Sequence, residues 1–221
     1  MISERINLVK NEIEKAKEKS GRKDDVALIA VTKTFPVEVI KEAYDAKMRV
    51  FGENRVQEMM EKIDYFPDCD WHLIGHLQKN KAKYVVGKAK LIHSVDSFEL
   101  AYEINRIAQK KGVVQDILLE VNISGEISKY GLTTDEIKDI IIKIRELGFV
   151  QVKGFMTMAP KCENPESVRW VFKEAKKLFD LYKKDNPSID TLSMGMSGDY
   201  TVAVEEGATM VRVGSLIFGN R

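Results

Sequence analysis

Short apolar runs alternate eight times along this chain with segments whose apolar residues recur at helical spacing. The runs cover residues 26–31, 49–51, 71–74, 91–94, 117–123, 150–155, 191–194 and 210–213. An apolar run without polar alternation reads as a strand buried on both faces, which is the condition of a parallel sheet covered by helices. The stripes between them fit that role. Leu100, Ala101, Ile104, Ile107 and Ala108 share one helical face, and Ile137, Ile140, Ile141 and Ile144 share another. Val168, Val171, Phe172, Ala175, Leu178, Phe179 and Tyr182 make the longest. Parallel strands joined by helices need right-handed crossovers, and eight such units close into a TIM-type (β/α)8 barrel. The competing architecture is a doubly wound open sheet. It usually has fewer strands and a Gly-rich turn after the first, where this chain has Thr32-Lys33-Thr34-Phe35-Pro36. The expectation is an α/β barrel forming a single domain over residues 1–221, without a second domain. Ile2, Ile6, Val9 and Ile13 add an N-terminal helix within residues 1–20, closed by the polar run 19–25.

Local punctuation agrees with this division. Thr133 and Glu136 have the spacing of a capping box, as do Asp96 and Glu99 with an Asp cap. Asn164 precedes a proline suited to a first helical position, and Gly112 and Gly148 stand where helices should stop. Basic and acidic residues nearly cancel, 35 against 34, with no block of one sign. Neither nucleic acid nor an anionic membrane is therefore expected as a partner. No apolar run approaches the ~18 residues of a membrane span, and the first residues lack a signal-peptide pattern. Cys69 and Cys162 sit in unrelated contexts, as in a reduced cytoplasmic protein.

In such barrels chemistry collects at the C-terminal ends of the strands, and the unusual residues of this chain fall there. Lys33 ends the first run, Gly52-Glu-Asn54 the second, Gly75-His-Leu-Gln78 the third and Arg212-Val-Gly214-Ser215 the last. A lysine at a low-dielectric strand end is a candidate Schiff-base nucleophile, although an ordinary solvated lysine has the same signature. Ser197-Gly198 and Gly214-Ser215 each offer a hydroxyl and approachable backbone N–H groups before a helical turn. That suits an anion or a plain turn. His72 and His76 straddle a strand end rather than sharing a helical face, so zinc is not expected, and His93 reads as a core residue. Lys129, in the rim loop 124–131, reads as a ligand contact or a solvated side chain.

Several motifs together resemble those of the pyridoxal phosphate homeostasis protein family, short barrels similar to the N-terminal domain of alanine racemase. They are Ala30-Val-Thr-Lys33, Phe51-Gly-Glu-Asn54, Trp71-His-Leu-Ile-Gly-His-Leu-Gln-Lys-Asn-Lys81, Ser193-Met-Gly-Met-Ser197 with Asp199, Val211-Arg-Val-Gly-Ser215, and the closing Phe218-Gly-Asn-Arg221. Leu73 departs from the Phe or Met more usual there, without touching a functional position. The resemblance implies that Lys33 binds pyridoxal 5'-phosphate as an internal aldimine, that Ser197, Gly214 and Ser215 hold its phosphate, and that Asn54 lines the pocket. It also implies that Arg212 faces the pyridine nitrogen. Arginine has no proton to spare at neutral pH, so that nitrogen would stay unprotonated and the ring would be a poor electron sink. The implied function is intracellular pyridoxal phosphate homeostasis by a monomer that buffers the cofactor or delivers it to pyridoxal phosphate-dependent apo-enzymes, with no catalytic residue assigned. A small fold-type III enzyme such as an amino-acid racemase is the alternative. Racemases of this fold use a second base from another domain and subunit, for which 221 residues leave no room.

Overall fold

The computed structural model describes residues 1–126 and 130–219, so Lys129, Asn220 and Arg221 lie outside the described residues. Helix α1 (Ile2–Lys19) precedes β1 (Ala27–Val31), α2 (Val37–Asp45), β2 (Val50–Glu53), α3 (Val56–Lys62), β3 (Asp70–Leu73), α4 (Ala82–Val85), β4 (Leu91–Val95) and α5 (Phe98–Lys111). There follow β5 (Gln115–Glu120), α6 (Ile137–Arg145), β6 (Val150–Met156), α7 (Arg169–Asp185), β7 (Thr191–Met196), α8 (Tyr200–Glu205), β8 (Met210–Val213) and α9 (Ser215–Phe218). The strands form a closed barrel in chain order, every neighbouring pair parallel. Closure is made by β1 and β8, with Ala27 opposite Met210 and Ala30 opposite Val213. The open doubly wound sheet is thereby excluded.

Side-chain direction follows the strand period of two. His93 on β4 hydrogen-bonds Ser193 on β7, which is not its neighbour, so these residues point into the barrel. Leu91, Leu118 and Met156 form an apolar cluster with Met210 beside it. The outward residues of the strands pack with the helix stripes in one large core that includes Phe51, Trp71, Ile92, Leu119 and Phe172. All five residues of the longest stripe nearest the sheet, Val168, Val171, Phe172, Ala175 and Phe179, are buried. Helix α1 buries Ile2, Ile6, Val9 and Ile13 and lies along α8 and α9, backing the elements that follow β7 and β8.

The boundaries differ from expectation where a polar group is buried and satisfied. Strand β2 runs on through Glu53 because its carboxylate is paired inside the protein. Strand β5 starts at Gln115, whose amide donates to the Ala89 carbonyl and accepts from the Gly87 N–H. It stops at Glu120 rather than at 123, because the Asn122 side chain accepts from the Gly125 N–H and donates to the Glu126 carbonyl, turning the chain. Helix α5 is capped by Ser97, whose hydroxyl accepts from the Leu100 N–H, and not by Asp96. Only half of the Thr133–Glu136 capping box forms. Glu136 accepts the Thr133 N–H, but helix α6 begins after it. That helix ends at Arg145, short of Gly148, whereas Gly112 closes α5 with φ +65° as expected. Asn164 caps a 3-10 turn with Pro165 in its first position, leading into α7.

Candidate functional site

A cavity of about 610 Å³ opens at the C-terminal end of the barrel between β1, β2, β7 and β8. All six residues singled out from the sequence line it: Lys33, Asn54, Ser197, Arg212, Gly214 and Ser215. Phe35, Ile74, Met158 and Met196 supply apolar wall, and Gly198 completes the β7 side. The cavity therefore presents a primary amine, an amide, two hydroxyls and a guanidinium around an apolar interior, the composition of a small-molecule site.

Each polar group is held by its backbone or by the barrel interior. Lys33 stands two residues past the end of β1, in a turn closed by the Phe35 N–H donating to the Thr32 carbonyl. It is half-buried, less enclosed than the apolar strand before it suggests. Asn54 is placed by a close approach of neighbouring strand ends. A Cβ on Gly75 would lie 2.3 Å from the Asn54 carbonyl oxygen, so no larger residue fits there without moving the mouth. The Ser197–Gly198 turn is clipped by Asp199, whose carboxylate accepts the Met196 N–H at 2.6 Å. The Gly214 N–H donates to the Ser197 hydroxyl at 3.2 Å, joining the ends of β7 and β8. A Cβ on Gly198 would meet nothing within 4 Å, so that glycine leaves open space in the cavity wall instead of serving packing.

Arg212 is 4% exposed, and its guanidinium donates to Ser193 Oγ at 2.6 Å and to the Thr157 carbonyl at 3.0 Å. Burial pulls it down to about 10, against the opposing pull of Asp199 and Glu120, so it remains a cation at neutral pH. Behind it a chain of buried groups crosses the barrel. Ser193 Oγ meets His93 Nδ1 at 3.0 Å, and His93 Nε2 meets His72 Nδ1 at 2.9 Å. Burial keeps both imidazoles neutral: His72 is pushed down to about 4, and His93 lies well below the ordinary histidine value. Glu120, at the end of β5, is pushed up to about 7 by burial and then by the charge of Asp96, which outweigh the opposing effect of Arg212. His76 sits 3.4 Å from Asp96 and stacks on Tyr130, with ring centroids 4.1 Å apart.

Several of these partners were invisible in the sequence. His93 and Ser193 are 100 residues apart, and nothing local signals that they meet. Glu53 and Lys62 form a buried ion pair of 2.6 Å directly behind the Lys33–Asn54 wall, with Glu53 fully enclosed. The i,i+4 spacing of Glu58 and Lys62 was a visible clue to a charged face of α3, but not to its pointing inward. Among the described residues no group of three His, Cys, Asp or Glu could hold a metal ion, and no helix is long and apolar enough to cross a membrane.

Comparison with known proteins agrees with this geometry. The alanine racemase N-terminal domain family matches residues 6–221. A pyridoxal phosphate homeostasis protein of Aquifex aeolicus is 47% identical over 222 residues, covering 99% of this chain and 97% of that protein. The structure of PipY from Synechococcus elongatus with pyridoxal phosphate bound superposes with a TM-score of 0.84 at 37% identity, covering 99% of this chain and all of PipY. An alanine racemase from Clostridium difficile shares the fold, with a TM-score of 0.76 at 17% identity, and this chain spans 57% of its length. A closed parallel barrel with an amine and two Ser-Gly turns at one mouth, together with full-length relatives of this identity, places the chain in the pyridoxal phosphate homeostasis protein family, within the alanine racemase N-terminal domain fold.

Proposed function

We propose that this protein binds pyridoxal 5'-phosphate in the cavity at the ends of β1, β7 and β8 and serves to hold and release it. The observation that carries this reading is the convergence on one cavity of a lysine amine, two serine-glycine turns and a buried arginine, from strands at opposite ends of the chain. When bound, the cofactor supplies an aldehyde that condenses reversibly with a primary amine, one water leaving with the aldehyde oxygen and both amine hydrogens. Lys33 would provide that amine. Ser197 and Ser215 would hold the phosphate through their hydroxyls and the Ser215 and Leu216 N–H groups at the start of α9, and Gly214, whose own N–H is taken by Ser197, would let it approach the backbone there. Asn54 lines the wall beside the ring. Arg212, fixed by Ser193 and Thr157, would face the ring nitrogen and, having only donors to offer, would leave it unprotonated. The same arginine weakens the ring as an electron sink, which favours storage over carbanion chemistry.

The protein acts as a monomer in the cytoplasm, and its recipients are pyridoxal phosphate-dependent apo-enzymes. Transfer of cofactor from the loaded protein to such an apo-enzyme, compared between wild type and Lys33→Ala, tests the reading. Wild type should activate the recipient and yield a borohydride-stable label on Lys33, and the variant should do neither. Steady exchange of an amino acid's α-proton in heavy water, lost in Lys33→Ala, would instead establish a racemase-like enzyme.

A further inference from the structure

The turn that carries Lys33 is strained. Thr34 has φ +67°, in the left-handed region, where a β-branched residue is an outlier. It occupies the third position of the Thr32–Phe35 turn, one that favours glycine when φ is positive. Such a conformation persists only if its surroundings impose it; within the turn the Thr34 hydroxyl donates to the Lys33 carbonyl at 2.6 Å, and the restraints from outside it come from helix α3. Glu58 accepts the Thr34 N–H at 2.6 Å. One turn later, Lys62 donates to the Thr32 carbonyl at 3.0 Å and to Glu53 at 2.6 Å, and Glu53 also accepts the Thr32 hydroxyl at 2.6 Å. Both neighbours of Lys33 are therefore tied to one face of α3. Glu58 does not line the cavity; it lies behind the turn, beside Lys62.

We propose that Glu58 is a positioning residue: by holding Thr34 in the left-handed conformation it aims the Lys33 amine into the cavity. Glu58 needs no contact with the cofactor for this role. The proposal rests on the reading that Lys33 is the amine that bonds the cofactor. Methionine at 58 removes the acceptor and frees the turn to relax to negative φ, which swings the lysine stem away. Glutamine at 58 keeps an acceptor oxygen for the Thr34 N–H. Glycine at 34 adopts positive φ at no steric cost, so it should make the turn independent of Glu58.

The test adds pyridoxal 5'-phosphate to the cofactor-free protein, follows formation of the covalent adduct by absorbance, and locates it by borohydride trapping and peptide mass analysis. In parallel, 4-deoxypyridoxine 5'-phosphate, which lacks the aldehyde, reports binding to the cavity without the lysine. Glu58→Met should slow adduct formation by about 10–100-fold, the scale of a misplacement of about 1 Å, while leaving affinity for the deoxy compound unchanged. Glu58→Gln should stay near wild type, and Thr34→Gly combined with Glu58→Met should recover the rate of Thr34→Gly alone. An unchanged rate in Glu58→Met overturns the proposal, as does a failure of Thr34→Gly to rescue. Parallel loss of deoxy-compound binding also overturns it, since that would show general disruption of the site. If wild type traps the label on a lysine other than Lys33, the underlying reading falls and the proposal with it.

Discussion

Among the buried groups that titrate in this barrel, His72 and Glu120 are shifted in opposite directions. Burial, and to a smaller extent Lys90, pushes His72 from 6.5 down to about 4, so the folded protein keeps it neutral while the unfolded chain takes up a proton. Its contribution is present above about pH 6.5 and is lost as pH falls through about 4. Glu120 is raised from 4.5 to about 7, so the folded protein retains a proton that the unfolded chain releases. That contribution is present below about pH 4.5 and is lost as pH rises through about 7. At about 1.4 kcal/mol per pH unit, each group spans about 3.5 kcal/mol in full. Between about pH 8 and about pH 5, His72 costs about 2 kcal/mol and Glu120 returns about 2–3 kcal/mol, so the two nearly offset. Single variants should expose each half. His72→Asn keeps an amide partner for His93 without a titrating proton. Relative to wild type, its stability should rise by about 2 kcal/mol on acidification over that interval, and Glu120→Gln should fall by a similar amount. Urea unfolding of the cofactor-free proteins at several pH values, analysed by linear extrapolation, reads these differences directly. If His72→Asn and wild type change in parallel with pH, the imidazole is not held neutral by the barrel and the reasoning is refuted.

Two further outcomes follow from the geometry. Gly198→Ala places its methyl group in open space, so stability should stay within about 0.5 kcal/mol. Affinity for pyridoxal 5'-phosphate should drop about tenfold, as expected for one obstructed phosphate contact; calorimetric melting and equilibrium titration separate the two effects. Lys62→Met leaves the enclosed Glu53 without its cation and should cost about 3–5 kcal/mol in denaturant unfolding. Adding Glu53→Gln should recover part of that loss, because Oε2 of Glu53 already lacks a partner among the described residues.

Much of the fold was legible in the sequence because a parallel barrel buries its strands on both faces. Each strand then contains a short, mostly apolar run, and the longer helices carry one apolar stripe. Lys33 and Arg212 stood out for the same reason, as charges at the ends of such runs. Three of the misreadings share one cause. Glu53, Gln115 and Asp96 were read by their polarity, whereas their environment decides what they do: Glu53 and Gln115 are buried and hydrogen-bonded inside strands, and Asp96 faces His76 instead of capping α5.

The sequence by itself determined the order of elements, the barrel mouth as the place where its unusual residues gather, and the six residues that line one cavity there. Periodicity and strand ends are local properties, and local patterns record them. Only the tertiary structure decided what stands behind those residues. The Ser193–His93–His72 chain that holds Arg212 crosses the barrel between β8, β7, β4 and β3. The Glu58 and Lys62 contacts that bracket Lys33 join a turn to a helix three elements later. Such contacts depend on which face of each element turns inward and on barrel closure, which bring together side chains distant in sequence.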